Sequence, residues 1–300
     1  MTFNEGMQID TSNTSTGGGG GGRGIAIGGG VGGLLIVVVA MFLGVDPRTV
    51  LPQQGATAGQ AGASGSSQEG GAYDLTKCKT GADANKYLEC KIVATGNSVD
   101  GVWSQLLKGY TPPHMKLFRD RVNTACGPAT TDVGPFYCPG DKTAYFDTSF
   151  FQTLVDQFGS SGGPLAQEYV VAHEYGHHVQ DLLGDIGKAQ QGRGGANGNG
   201  VRTELQADCY AGVWAHYATT VKQKSTGVPF LKPLTDQDIN DALSAASSVG
   251  DDRIQKEMQG RVNPESWTHG SSAERQKWFT TGYQTGDPKQ CDTYHAAKLD

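Results

Sequence analysis

The pentapeptide HEYGH, residues 173–177, restricts what this chain can fold into more than any other stretch. It lies in PLAQEYVVAHEYGHHVQDLLG, where Leu165, Tyr169, Ala172, Val179 and Leu183 recur at helical intervals. Pro164 stands at a first helical position and Gly184 closes the run, so a helix is expected between them. In that helix His173 and His177 project about 40° apart and some 6 Å apart along the axis, so both imidazoles can reach one point. Two such imidazoles suit a zinc ion, and a zinc site that keeps a corner open for water needs a third protein ligand. The fold must therefore carry another ligand-bearing element across this helix.

The segment TELQADCYAGVWAHYATTV answers that need. Glu204 lies 27 residues past His177, far enough for the chain to turn and bring a carboxylate back. Thr203 is placed to cap a second helix there. Asp208, one turn further on the same face, could accept the outer ring proton of a ligand histidine and fix its tautomer. Glu174, beside the first ligand, is placed to take a proton from water. The expected centre is thus one Zn2+ held by His173, His177 and Glu204, with Glu174 as general base and Asp208 behind. His178 points about 100° away and His216 lies more than three turns past Glu204, so neither joins the set.

Further on come WTHGSSAERQKWFTTGY and GDPKQCDTY. With HEYGHHVQ and TELQADCYAG they resemble the bacterial neutral zinc metallopeptidase family, single-span zinc-dependent peptidases, from the apolar N-terminal stretch to the chain end. At one remove the pattern is similar to the gluzincins, which follow HExxH with a glutamate, an aspartate four residues later, and a late histidine with an arginine six residues on. The resemblance implies an α+β fold, a zincin or gluzincin-like domain with a small antiparallel sheet and an active-site helix pair. It makes His269 a stabiliser of the transition state and Arg275 its companion at the oxyanion. Gly270 stands where gluzincins usually have proline.

The first quarter of the chain reads differently. Ile25 to Leu43 carries no charge over 19 residues, and as a helix it would be about 28 Å long, near the hydrocarbon thickness of a bilayer. The expected organisation is a disordered glycine-rich tail over 1–24, a transmembrane helix over 25–44, a flexible linker over 45–72 and a zinc metallopeptidase domain over 73–300. A cleaved signal peptide is the alternative, but the small-residue triplet ATA at 56–58 lies far beyond Leu43, and the segment before the apolar stretch is long and glycine-rich. Gly28 with Gly32, and Gly29 with Gly33, have the spacing that would allow a weak homodimer through the span. Arg23 and Arg48 balance across it and give no orientation.

The cysteines do suggest one. Cys78, Cys90, Cys126, Cys138, Cys209 and Cys291 all follow the apolar stretch, and an even number suits an oxidising compartment. Cys78 with Cys90 and Cys126 with Cys138 are each separated by 12 residues, which suits two disulfides and leaves Cys209 with Cys291; the true pairing stays open. The localisation expected is a single-pass protein of the bacterial cell membrane with its catalytic domain outside the cytoplasm. Net charge is −6 without a basic run, so nucleic acid is not an expected partner.

In the domain, MKLFRDRV (115–122) and TAYFDTSFF (143–151) are expected strands of the antiparallel sheet, and a peptide could pair along Thr143 to Phe146. Residues 185–200 read as a mobile loop, and further helices are expected within LTDQDINDALSAASSVGDDRIQKEMQ and SSAERQKWFTTGYQTG. The function these features point to is a membrane-anchored peptidase that hydrolyses peptide or protein substrates with zinc-activated water. The rival is a catalytically silent zinc-fold binding or chaperone-like membrane protein. A cysteine hydrolase using Cys209 lacks an electropositive setting for its thiol.

Overall fold

Two strands rich in aromatic and apolar residues, β2 (His114–Phe118) and β6 (Thr143–Asp147), form the middle of a four-stranded sheet. In this computed structural model the described residues are 3–17 and 73–300. The membrane helix expected over 25–44 and the linker over 45–72 lie outside them. Among the described residues no helix is long and apolar enough to cross a membrane.

Antiparallel pairing occurs at two places: in the hairpin of β3 (Arg121–Thr124) and β4 (Gly127–Thr130), and between β5 (Phe136–Cys138) and β6. The two strands expected from sequence run parallel instead, with Met115 opposite Ala144. The chain between them makes the hairpin and β5, which is connection enough for a parallel return. The expected strand over 115–122 breaks at Asp120, whose φ of 63° turns the chain into β3. The one over 143–151 stops at Asp147, whose carboxylate accepts from the amide and hydroxyl of Ser149 and opens helix α3 (Phe150–Asp156). Because β6 lies between β2 and β5, Thr143–Phe146 offers no free edge to a peptide. β5 is the end strand on that side.

The remaining end strand comes from the N-terminus. Residues Thr14–Thr16 form β1, parallel to β2 with Thr14 opposite Met115. Phe3 and Met7 are wholly buried in the main core. The Phe3 amide donates to Asn85 Oδ1 at 2.7 Å, and Asn4 Nδ2 donates to the carbonyls of Pro229 and Leu231, both at 2.9 Å. The tail expected to be disordered over 1–24 is thus folded in its described part, 3–17. Two buried apolar anchors and a run of backbone hydrogen bonds overcome a composition that looks like a linker.

Helices pack on the sheet and on one another. Sequence reasoning did not find α1 (Gly81–Lys86) or α2 (Leu88–Leu106). Helix α4 (Pro164–Leu183), with Gly184 as its left-handed cap, has the bounds that Pro164 and Gly184 predict. It lies at the centre, touching β5, β6, α2, α5 (Asn199–Tyr217) and α6 (Asp236–Ser248). Helix α5 starts at Asn199 with Gly198 as its cap, so Thr203 is inside it, where its hydroxyl bonds back to the Asn199 carbonyl at 2.8 Å. The later apolar periodicities become α6, α7 (Asp251–Gln259) and α8 (Ser272–Thr285).

Helices α5 and α8 touch backbone to backbone. A Cβ on Gly212 would sit 2.0 Å from the Phe279 carbonyl oxygen, and one on Gly282 would sit 1.9 Å from that of Cys209. Only glycine permits this approach, and it brings the side chains of the two helices into one buried layer. Three disulfides tie the domain: Cys78–Cys90, Cys126–Cys138 and Cys209–Cys291, with Cα separations of 5.1, 5.8 and 5.5 Å. The third fastens the C-terminal segment to α5 one residue after Asp208.

Candidate metal centre

The two histidines of α4 meet the carboxylate of α5. His173 Nε2 lies 3.2 Å from Glu204 Oε2, and His177 Nε2 lies 3.5 Å from Glu204 Oε1. Ligand atoms held at zinc bond lengths of about 2.0–2.1 Å stand about 3.3–3.4 Å apart at the corners of a tetrahedron. The observed spacings are those edges. One ligand atom from each of the three residues falls within 4.8 Å of the others, and all three residues are buried. The donor set, two imidazoles and a carboxylate with one corner free, fits zinc.

Each imidazole is oriented from behind. His173 Nδ1–H donates to Asp208 Oδ1 at 2.8 Å, and His177 Nδ1–H donates to Gln180 Oε1 at 2.8 Å. Both Nε2 atoms are thereby left as acceptors for an ion. Gln180 is itself fixed, since its Nε2 donates to the Thr203 carbonyl at 2.7 Å and to Gln206 Oε1 at 2.9 Å. Burial disfavours the cation of His173, but Asp208 and Glu204 outweigh it and raise the pKa to about 10. Burial also disfavours the charge on Glu204, yet His177 and His173 hold its pKa well below the usual carboxylate range.

Asp208 is fully buried and depends on Arg275. Arg275 Nε donates to Oδ2 and Nη2 to Oδ1, both at 2.9 Å, a two-pronged pairing in which the guanidinium plane matches the carboxylate. Tyr169 adds a hydroxyl hydrogen bond to Oδ1 and receives Arg275 Nη2 at 3.1 Å. Burial alone would raise the pKa of Asp208, but Arg275 and His173 keep it lowered. The resemblance implies Arg275 at the oxyanion; in the structure its guanidinium donates to Asp208 and Tyr169, and Nη2 lies 3.5 Å from His173 Nδ1. Asp208 links Arg275 to the ring of His173.

His269 is buried and lines the same cavity as Glu204. Its loop hangs on Asp251, whose Oδ2 accepts the amides of Thr268, His269 and Gly270 at 2.7, 2.6 and 3.0 Å. Burial opposes charge on the His269 ring, but Asp251 and Glu204 prevail and raise its pKa. A protonated ring there can donate to a developing oxyanion. Gly270 has φ +90°, which proline cannot adopt, so the departure from the gluzincin pattern follows from the turn itself.

Glu174 is buried, and its Oε2 has no hydrogen-bond partner. Burial raises its pKa, tempered by His173 and His177. A carboxylate oxygen left unsatisfied in the cavity that His173, His177 and Glu204 also line is suited to accept a proton. His178 and His216 are held elsewhere, His178 by Tyr137 and the Thr111 carbonyl and His216 by the Tyr283 carbonyl, as their helical positions require. Sequence reasoning missed Tyr169, Gln180 and Asp251. Tyr169 is four residues before His173 and Gln180 three after His177, so helical spacing carried a signal for both; Asp251 had none.

The cluster lines a cavity of about 110 Å³ that opens to solvent. Comparison with known proteins agrees with its chemistry. The family described as "Putative neutral zinc metallopeptidase" matches residues 4–294. Uncharacterised proteins of Mycobacterium tuberculosis and Mycobacterium bovis are each 70% identical over 100% of both chains. The uncharacterised Escherichia coli protein YpfJ is 38% identical over 95% of this chain and 94% of its own. No solved structure matches.

Proposed function

The chain belongs to the neutral zinc metallopeptidase family, and on that premise we propose that it is an endopeptidase that hydrolyses peptide bonds with zinc held by His173, His177 and Glu204. The observation that carries the reading is the unsatisfied Glu174 carboxylate beside three converging ligand groups. A purely structural zinc site closes all four corners with protein ligands and has no use for a buried base.

Zinc, when bound, would polarise the scissile carbonyl and make water acidic enough to lose a proton near neutral pH. Glu174 takes that proton from the attacking water and later delivers it to the departing amine nitrogen. His269, kept protonated by Asp251 and Glu204, donates to the oxyanion. Asp208 and Gln180 keep both imidazole rings from turning, and Arg275 and Tyr169 keep Asp208 in place. The substrate main chain passes Gly134 and Pro135, which line the cavity just before the end strand β5. The three disulfides support a domain outside the cytoplasm, and the apolar stretch over 25–43 supports membrane attachment.

The test is Glu174→Gln beside wild type, both full-length and zinc-loaded, on a mixed peptide library. Loss of the base should lower turnover by about 10²–10⁴-fold while zinc content stays the same. Equal cleavage by the two proteins removes the base assignment. No cleavage by either, with zinc bound, favours a silent binding protein.

A further inference from the structure

The ring proton of His177 is placed from far down the chain, through a line of buried amides. The Cys291 carbonyl lies 3.1 Å from Gln206 Nε2, and a carbonyl oxygen can only accept. Gln206 must therefore turn its NH2 group toward Cys291 and its Oε1 toward Gln180, which donates to it at 2.9 Å. Gln180 has both N–H bonds committed, to Gln206 Oε1 and to the Thr203 carbonyl, so its Oε1 is what meets His177. That oxygen lies 2.8 Å from His177 Nδ1 and calls for the proton there, which leaves Nε2 as the acceptor. Gln180, Gln206 and Cys291 are all buried, so the polarity of each link is fixed by its neighbours and not by solvent.

We infer that Gln206 is a positioning residue for the metal ligand His177, and that the Cys209–Cys291 disulfide acts on the metal centre through it. This rests on the ligand set proposed above and adds residues that do not touch the ion. Gln206 is two residues past Glu204, so its side chain leaves α5 about 200° round the axis from that ligand. It is three residues before Cys209, whose bond to Cys291 holds the carbonyl at the far end of the line. Were the Gln206 amide reversed, its NH2 would meet the NH2 of Gln180 and its Oε1 would meet the Cys291 oxygen, and two buried hydrogen bonds would be lost. Were Gln180 reversed with it, its NH2 would face Nδ1 and the ring proton would move to Nε2, the atom that must be bare to bind an ion.

The experiment uses the full-length protein in detergent, with zinc affinity read by chelator competition and solvent exchange of the His173 and His177 Nδ1 protons read by NMR on the zinc-loaded form. Gln206→Leu should weaken zinc by about threefold to tenfold, less than the loss of Gln180 itself. It should also speed exchange at His177 and leave His173, which Asp208 anchors, as in wild type. Gln206→Glu should stay within about twofold of wild type, because burial favours its neutral carboxyl, which can donate to Cys291 and accept from Gln180. Cys209→Ala with Cys291→Ala should speed exchange at His177 and not at His173, a readout that does not need Gln206→Leu to fold. Its effect on zinc should be much smaller once Gln206→Leu is present, since both changes cut one line. Unchanged affinity and exchange in Gln206→Leu, a Gln206→Glu protein as weak as Gln206→Leu, faster exchange at both histidines alike, or fully additive effects would each overturn the inference and leave the ligand set standing. A wild type that holds no zinc would overturn the ligand set, and this inference with it.

Discussion

Replacing Phe3 by alanine tests whether the N-terminal segment is part of the fold. The ring is wholly buried in the main core, and its backbone amide and carbonyl are both paired with Asn85, at 2.7 and 3.1 Å. Truncating a buried phenylalanine costs about 3–5 kcal/mol, a large share of the ~5–15 kcal/mol that holds a domain together. For a domain of this size each kcal/mol lowers the melting temperature by about 2–4 °C, so Phe3→Ala should melt about 6–20 °C below wild type. Glu5→Ala is the control: Glu5 is exposed, faces Lys232 only at 4.0 Å, and should change stability by less than about 0.5 kcal/mol. Scanning fluorimetry on the full-length protein gives both values. If Phe3→Ala melts within about 1 °C of wild type, the segment is not docked and β1 is not a strand of this sheet. If it is docked, residues 3–17 and the domain from Tyr73 share one side of any membrane, whereas the single crossing expected over 25–44 would part them. A soluble fragment that begins at residue 73 would also lack an edge strand and two core anchors.

Ser12→Cys and Lys256→Cys, both at exposed positions, should therefore react alike with a membrane-impermeant maleimide on intact cells; labelling of one without the other would contradict the docked segment. Gln180→Leu removes the acceptor that fixes His177 and should weaken zinc affinity about 10–100-fold in a chelator competition, with helical circular dichroism unchanged. Glu168 is buried without a hydrogen-bond partner for either oxygen, and burial raises its pKa to about 8 although Lys91 pulls it down. The folded protein thus keeps a proton that the unfolded chain releases from about pH 4.5, so this group makes stability fall as pH rises toward 8. Glu168→Gln should flatten that slope in denaturant titrations from pH 5 to 8, and an unchanged slope would refute the assignment.

The ligand helix was legible because its punctuation is local: Pro164 and Gly184 mark its ends, and the histidine spacing fixes which face matters. Glu204 and Asp208 were legible because zinc chemistry demands a third ligand and an outer acceptor. What escaped depends on partners far away in the chain. Phe3 and Met7 are isolated apolar residues in a polar stretch, and their burial is decided by groups around residues 80–85 and 229–231. Helix α2 contains Gly96, Thr95, Ser98 and several β-branched residues, so its own propensity is weak. Tertiary packing maintains it, including the Trp214 Nε1–H bond to Ser98 Oγ at 3.0 Å. The spacing of His269 and Arg275 was readable, but the role of Arg275 was not. Its partner Asp208 is 67 residues earlier and is reached only because Gly212 and Gly282 let α5 and α8 touch.

The charges buried around the cluster give a last prediction. Glu174, Glu204, Asp208 and Asp251 are carboxylates, Arg275 and protonated His269 are cations, and neutral His173 and His177 add nothing; the sum, four negative and two positive, is −2. One divalent ion neutralises that set. Without it the site must take up protons, and His173, raised to about 10 by Asp208 and Glu204 against the effect of burial, is a group that holds one at pH 7.5. Zinc needs the neutral imidazole, so its arrival must expel that proton. Titrating zinc into the chelator-stripped protein at pH 7.5, in two buffers of different ionisation enthalpy, should show a heat that differs between them by the equivalent of about one proton or more released per zinc. Glu204→Gln removes one negative charge and one ligand, and should bind zinc more weakly and release fewer protons. Equal heats in the two buffers would mean that no proton leaves, and that the buried carboxylates are balanced by something other than the imidazole of His173.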